Sequence, residues 1–274
     1  MTAKGSAPAG GEPFAAFRAW LASHRGDVSV VAGDGAGCRL SHLPDVPRVL
    51  ASTIKVVPLL AYTTAVVAGG LDPDEPVRVG DWDAFHPFDG DGPLGAGAHH
   101  RALTSLGIAC DEYGVARDPE RLVPLDAIAT AMISVSDNAA PDYLRARLGD
   151  EAADPAFRRE VLDRVRGEPI SAEAEWAWTQ KTARGTAARL FAFHRHLATS
   201  DTPAAALARR KLGGDPLYKG GSLPRTRGFG LSADGGTVAV LFTGTDFPDV
   251  PLPGLGLAIL SDLDAFAWDL GVRR

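Results

Sequence analysis

Strand-like runs stand near both ends of this chain and helical patterns fill its middle, an order that leaves few ways to build a sheet. Asp27–Ala32 and Cys38–His42 read as two short strands joined by the Gly-rich turn Gly33–Gly37, a hairpin. Pro216–Gly221, Gly228–Ser232 and Thr237–Thr243 read as three more, the last two joined through Ala233-Asp-Gly-Gly236. Two early strands and three late ones would complete one antiparallel sheet. Pro13–Ser23, with Phe14, Phe17, Trp20 and Leu21 at helical spacing, and the amphipathic Leu255–Leu270 supply terminal helices to cover one of its faces. The expected fold is α+β in three layers: a five-stranded antiparallel sheet flanked by terminal helices, plus an all-helical lobe. No repeat or low-complexity linker divides the chain, so residues 1–274 are read as one domain. Its α/β lobe would hold residues 13–50 and 213–274, its helical lobe residues 51–212.

The middle carries helical patterns at Ser52–Ala68, Leu125–Ile133, Asn138–Leu148, Pro155–Val165, Thr182–Leu197 and Pro203–Lys211. The first contains the longest apolar run, Val56–Ala68, too short for a membrane span and interrupted by Thr63 and Thr64. It ends at Gly69-Gly70, a C-cap signal, and Pro58 should bend or loosen its early turns. Leu71–Glu120 reads as loop-rich, the kind of stretch that often forms a rim or lid.

Charge and composition remove several functions. The net charge is −6 with no basic face, which argues against nucleic acid as a partner. Apolar residues make up 45% of the chain, enough to bury a large core and to exclude a wholly disordered one. Two cysteines, Cys38 and Cys110, fit a reducing compartment and exclude a disulfide scaffold. The Ala/Gly/Pro-rich segment Met1–Pro13 lacks the apolar core of a signal peptide, so a cytoplasmic protein is expected, with no membrane partner. There is no CxxC and no HExxH, and His194 and His196 are two apart on a helix, hence on different faces. No metal and no cofactor is expected; His99-His100 are read as packed or solvated.

Of 28 basic residues only five are lysines: Lys4, Lys55, Lys181, Lys211 and Lys219. Arginine does not release its proton in a protein, whereas a desolvated lysine amine can act as a base. Lys55 closes Ser52-Thr53-Ile54-Lys55 at the start of the long helix, where residues three apart are neighbours. A neutral Lys55 amine would take the proton that makes the Ser52 hydroxyl a poor nucleophile. Backbone N–H groups left free in a first helical turn also point toward a developing oxyanion. Ser136-Asp137-Asn138 precedes another helix; all three are capping types, and Ser136 and Asn138 can also relay a proton and fix an amine. Lys219-Gly220-Gly221 ends a strand, where a second cation would attract a substrate carboxylate and the glycines would let a substrate backbone lie along the strand edge.

Taken together and in this order, the three motifs resemble those of the class A β-lactamase and penicillin-binding-protein superfamily: Ser-x-x-Lys, Ser-Asp-Asn and Lys-Thr-Gly. Ala51–Val57, Met132–Ala140, and Thr237–Thr243 with the closing helix extend the resemblance over nearly the whole chain. It implies an acyl-enzyme on Ser52, with Lys55 as base, Ser136 as proton relay and Lys219 as the second cation. Asn138 would hold Lys55 and the substrate amide, while Asp137 points away and holds the turn. The oxyanion hole would be the N–H groups of Ser52 and Ser222, with Gly221 and Ser222 along the substrate. Gly220 stands where the family has Thr or Ser, so one hydroxyl to a substrate carboxylate is absent. Ser222, Arg225 and Arg227 are candidates to replace it, Arg227 foremost.

The family's β-lactamases also carry a Glu-x-x-Leu-Asn loop whose Glu activates the deacylating water. Here the corresponding stretch, Gly167–Trp178, lacks that motif, leaving Glu173 and Glu175 as candidate substitutes. The expected activity is a serine hydrolase acting on a small ester, amide or lactam, and a weak β-lactamase. The alternatives are an acyltransferase that passes the acyl group to an amine or alcohol, and a protein that captures an acyl ligand without turnover. The sequence does not fix the oligomeric state.

Overall fold

The computed structural model describes residues 12–34, 37–85, 97–111, 114–149, 184–223, 225–244 and 247–272. They fall into two compact units: Met1–Thr53, Arg184–Arg195 and Asp215–Arg274 form one, and Ile54–Ala183 with His196–Gly214 the other. No described helix is long and apolar enough to cross a membrane.

The first unit is built on the expected five-stranded antiparallel sheet. β1 (Val28–Asp34) and β2 (Gly37–His42) form the early hairpin; β7 (Leu217–Leu223), β8 (Thr226–Ala233) and β9 (Gly236–Thr243) form the late meander. The spatial order is β2-β1-β9-β8-β7, so β1 pairs with β9, Val30 opposite Val240, and the two ends of the chain share one sheet. β7 is an edge strand.

Strand alternation sends Val28, Val30 and Ala32 of β1, Phe229 and Leu231 of β8, and Val238, Val240 and Phe242 of β9 to one face. There they meet α1 (Glu12–Ser23), α9 (Leu252–Ser261) and α10 (Leu263–Leu270) through Phe17, Trp20, Leu255, Ile259 and Phe266. Phe17 lies edge-on to Phe242 with ring centroids 5.9 Å apart, and Arg18 of α1 reaches Asp269 of α10. The single closing helix expected from the sequence is two. Asp262 breaks it with φ −147° and ψ 69°, and as N-cap of the second helix its carboxylate accepts a hydrogen bond from Ala265 N at 3.0 Å, satisfying a donor that the break frees.

On the other face, the first half of α7 (Ala187–Thr199) covers the sheet, and Ser232 Oγ donates to His194 O at 3.3 Å. A short pairing of β3 (Arg48–Val49) with β6 (Arg184–Gly185) adds to this unit. Arg48 is buried there and donates to Ser29 Oγ, Thr243 Oγ1 and Gly26 O.

The second unit is helical around α2 (Val56–Val67), whose residues 56–64 are all buried. α5 (Leu125–Ser134), α6 (Ala140–Leu148) and α8 (Pro203–Lys211) belong to it. Leu71–Glu120 is not simply irregular. It holds β4 (Pro76–Arg78), paired with β5 (Leu122–Pro124), and the helices α3 (Val79–Asp83) and α4 (Ala98–Ser105). These elements are too short to show a period in sequence, and buried Val77, Val79, Trp82, Ala102 and Leu103 hold them. The expected helix Pro155–Val165 lies outside the described residues.

Candidate active site

Ser52 and Lys55 share a 3₁₀ helix, Ala51–Lys55, that runs directly into α2. Pro58 accounts for this geometry. An α-helix through this stretch would need Pro58 to donate to Ile54 O, which it cannot do, and its ring would crowd that carbonyl. With α2 starting at Val56, Pro58 falls in the first helical turn, where no donor is required. The preceding turn is left as 3₁₀, in which residues three apart eclipse. Ser52 and Lys55 therefore lie in register on one side of the helix. Ala51 enters it with φ +48°, and Thr53 Oγ1 donates to Leu50 O at 2.6 Å.

In the second unit Lys55 is 1% exposed and its amine donates to oxygens of the Ser136–Asn138 turn. These include Ser136 O at 2.6 Å, Ser136 Oγ at 3.1 Å and Asn138 Oδ1 at 2.9 Å. The structure thus brings Lys55, Ser136 and Asn138 together. Ser136 has φ +61°, the left-handed region that a non-glycine residue enters at a cost of about 1–3 kcal/mol. Asp137, fully buried, faces away from the amine. Its carboxylate accepts from Ala140 N at 2.6 Å, Trp82 Nε1 at 3.0 Å and His99 Nδ1 at 2.8 Å. Capping and site-building are here one arrangement: Asp137 caps α6 while Ser136 and Asn138 face Lys55.

In the first unit, Gly221 of β7 lies against the start of the 3₁₀ helix. A Cβ there would come within 2.5 Å of Ser52 N and 2.7 Å of Thr53 N. The absence of a side chain at Gly221 admits the backbone of the chain's own Ser52. At Gly220 the neighbour is Tyr218, whose hydroxyl would lie 2.2 Å from a Cβ, so a Thr or Ser here would require that ring to move aside. Lys219 is 5% exposed, donates to Gly220 O at 3.1 Å, and burial lowers its pKa to about 8. Ser222 is exposed on the edge strand, opposite Arg227 of β8.

The structure does not bring Arg227 to Lys219. Lys219 pairs with Gly230, whereas Arg227 shares its strand face with Phe229 and Leu231, one residue out of phase. Its guanidinium stands 5.2 Å from the Phe247 ring centroid and 3.9 Å from Asp249. A carboxylate anchor beside Lys219 is therefore not found at position 227, because alternation turns that side chain to the helix-covered face. Glu173 and Glu175 lie outside the described residues, as does the whole stretch Gly167–Trp178.

Three residues beside the Ser136–Asn138 turn escaped sequence reasoning: Trp82, Asp83 and His99. His99 is not in a loop but on α4, and it bridges Asp137 and Asp83, its Nε2 lying 2.8 Å from Asp83 Oδ1. Nothing local marks these residues, which are separated from the motif by more than thirty positions of chain. Cys38 and Cys110 are both free thiols. Among the described residues no three His, Cys, Asp or Glu side chains converge as a metal site.

Comparison with known proteins places this chain in a family. Residues 13–210 match the β-lactamase enzyme family, and the chain belongs to it. The fold is that of solved class A β-lactamases. A β-lactamase from Sphaerobacter thermophilus superposes with a TM-score of 0.59 at 18% identity, over 95% of this chain and 97% of that one. A class A β-lactamase from Mycobacterium abscessus gives 0.57 at 18%, over 91% and 98%. A β-lactamase from Burkholderia vietnamiensis gives 0.57 at 17%, over 94% of each. No curated protein matches the chain.

Proposed function

We propose that this protein is a serine hydrolase that forms an acyl-enzyme on Ser52, built as a single β-lactamase-like domain. The observation that carries the reading is the Lys55 amine, one 3₁₀ turn after Ser52, held by Ser136 O, Ser136 Oγ and Asn138 Oδ1. As an ammonium it donates to all three. Once deprotonated it keeps two donors for the carbonyl oxygens of Ser136 and Asn138, which leaves its lone pair to accept a proton from a hydroxyl. In that state it takes the Ser52 proton as Ser52 Oγ attacks the substrate carbonyl. Ser136 Oγ then passes the proton on to the leaving group. The N–H groups of Ser52 and Ser222 stabilise the oxyanion, and Gly221 and Lys219 on β7 orient the acyl portion of the substrate.

The substrate is a small ester, amide or lactam, and β-lactams are turned over slowly. Acyl transfer to an amine or alcohol is the second reading. It is favoured by the sequence Gly167–Trp178, which lacks Glu-x-x-Leu-Asn, because a good acceptor needs less activation than water. Intact mass spectrometry with an activated ester and a β-lactam tests both. Wild type is expected to gain one acyl group and Ser52→Ala none. Equal labelling of the two would refute the acyl-enzyme, and release accelerated by added amines would select transfer over hydrolysis.

A further inference from the structure

We propose that His99, held as a buried cation between Asp83 and Asp137, is the positioning residue that fixes the Ser136–Asn138 turn around Lys55 and offsets the negative charge beneath it. The proposal rests on the reading of Lys55 as the base for Ser52. His99 and Asp137 are both fully buried, and each ring nitrogen of His99 faces a carboxylate oxygen at 2.8 Å, Asp137 Oδ1 on one side and Asp83 Oδ1 on the other. A neutral imidazole can donate from only one nitrogen and would set a lone pair against the second carboxylate. The doubly protonated ring satisfies both. Burial alone would lower the pKa of His99, but the hydrogen bonds and charges of Asp137 and Asp83 outweigh it and raise it to about 9. Burial alone would raise the pKa of Asp137, yet its bonds from His99 and Ala140 and the charges of His99 and Lys55 hold it below the usual carboxylate range.

The arrangement is anchored at each end. Asp83 Oδ2 accepts from Ala116 N at 3.2 Å, and Asp137 is fixed by Trp82 Nε1 and Ala140 N besides His99. With Asp137 so held, Ser136 stays at φ +61° and presents both its carbonyl and its hydroxyl to Lys55. Among the described residues the charged groups bonded to His99 are Asp83 from α3 and Asp137 from the turn. Cys110, near Asp83, has its thiol pKa raised by burial and stays neutral. Among the described residues the Lys55 amine is bonded to the uncharged Ser136 and Asn138, and the Asp137 carboxylate, turned away from it, acts on it through its charge alone. Among the described residues of this cluster, two carboxylates and two cations balance while Lys55 is protonated. Its deprotonation leaves one net negative charge in a buried cluster, and without the His99 charge it would leave two, so His99 makes the neutral amine more accessible.

With only five lysines in the chain, ¹³Cε-lysine NMR can follow Lys55, assigned by the loss of its signal in Lys55→Arg. The Lys55 titration is expected to move up by one unit or more in His99→Gln, a tenfold smaller fraction of free amine at a given pH, and down in Asp83→Asn. Trp82→Phe, which removes a hydrogen bond but no charge, should leave it in place. Unmoved titrations in folded His99→Gln and Asp83→Asn, or shifts of the same sign in both, overturn the proposal. If His99→Gln does not fold, Asp83→Asn decides alone. Opposite shifts in a wild-type protein that forms no adduct on Ser52 would sink the hydrolase reading and leave the role of His99 standing.

Discussion

Lys55 spends its donors on Ser136 and Asn138, so its worth to the protein is chemical as well as structural. Removing a positioned general base costs about 10²–10⁴ in rate, and Lys55→Ala should lower Ser52 acylation by that factor in stopped-flow or mass-spectrometric assays. Lys55→Arg should not restore it, since a guanidinium keeps its proton. Recovery of near-wild-type acylation in Lys55→Arg would exclude proton abstraction at this position. At Gly221 the expected effect combines strain with misplacement of Ser52, because a methyl group would meet the Ser52 and Thr53 nitrogens. Gly221→Ala should destabilise by about 1–3 kcal/mol in urea unfolding and slow acylation together. An unchanged midpoint would mean that β7 and the 3₁₀ helix have more room than the structure gives them.

The elements show why some of this was legible in sequence and some was not. Ser52, Lys55, Ser136, Asn138 and Lys219 stand in contiguous motifs, and β1, β2, β8, β9 and α1 have enough alternation or helical spacing to be read within a residue or two. The 3₁₀ form of Ala51–Lys55 follows from Pro58, a local cause visible in the sequence. The break at Asp262 was likewise local but concealed by continuous amphipathicity on both sides. α3 and α4 were hidden because elements of five and eight residues depend on burial of Trp82 and Leu103 by distant parts of the chain. Packing at the sheet face is tested through Phe242, which touches Phe17, Trp20 and Phe247. Phe242→Ala should cost about 3–5 kcal/mol, measured by chemical denaturation, as expected for a buried ring whose cavity cannot collapse.

Across the whole molecule, two buried histidines set opposite pH limits. His194 is fully buried in α7 with neither ring nitrogen hydrogen-bonded among the described residues, and burial lowers its pKa to about 3. Unfolding lets it take a proton near its ordinary value of about 6.5, so its contribution is whole above that pH and is lost as pH falls toward 3. His99 runs the other way, its pKa raised to about 9: its contribution is whole below about 6.5 and is lost as pH rises through 9. Lys219, lowered to about 8, restores some stability above that pH. Stability from these groups should peak near pH 6.5, and His194→Leu should flatten the acid limb between about 3 and 6.5 in urea titrations. An acid limb unchanged by that substitution would assign it to carboxylates instead.

What the sequence determined alone was whatever neighbouring residues enforce: the strand and helix periods, the proline-driven 3₁₀ turn, and the spacing that aligns Ser52 with Lys55. The tertiary structure decided which side chains meet across long stretches of chain. It set His99 and Asp83 behind Asp137, Tyr218 over Gly220, and Arg227 against Phe247 on the face away from Lys219. Those outcomes depend on strand parity and on burial of charge, which arise only when the sheet is paired and the interior is closed to water.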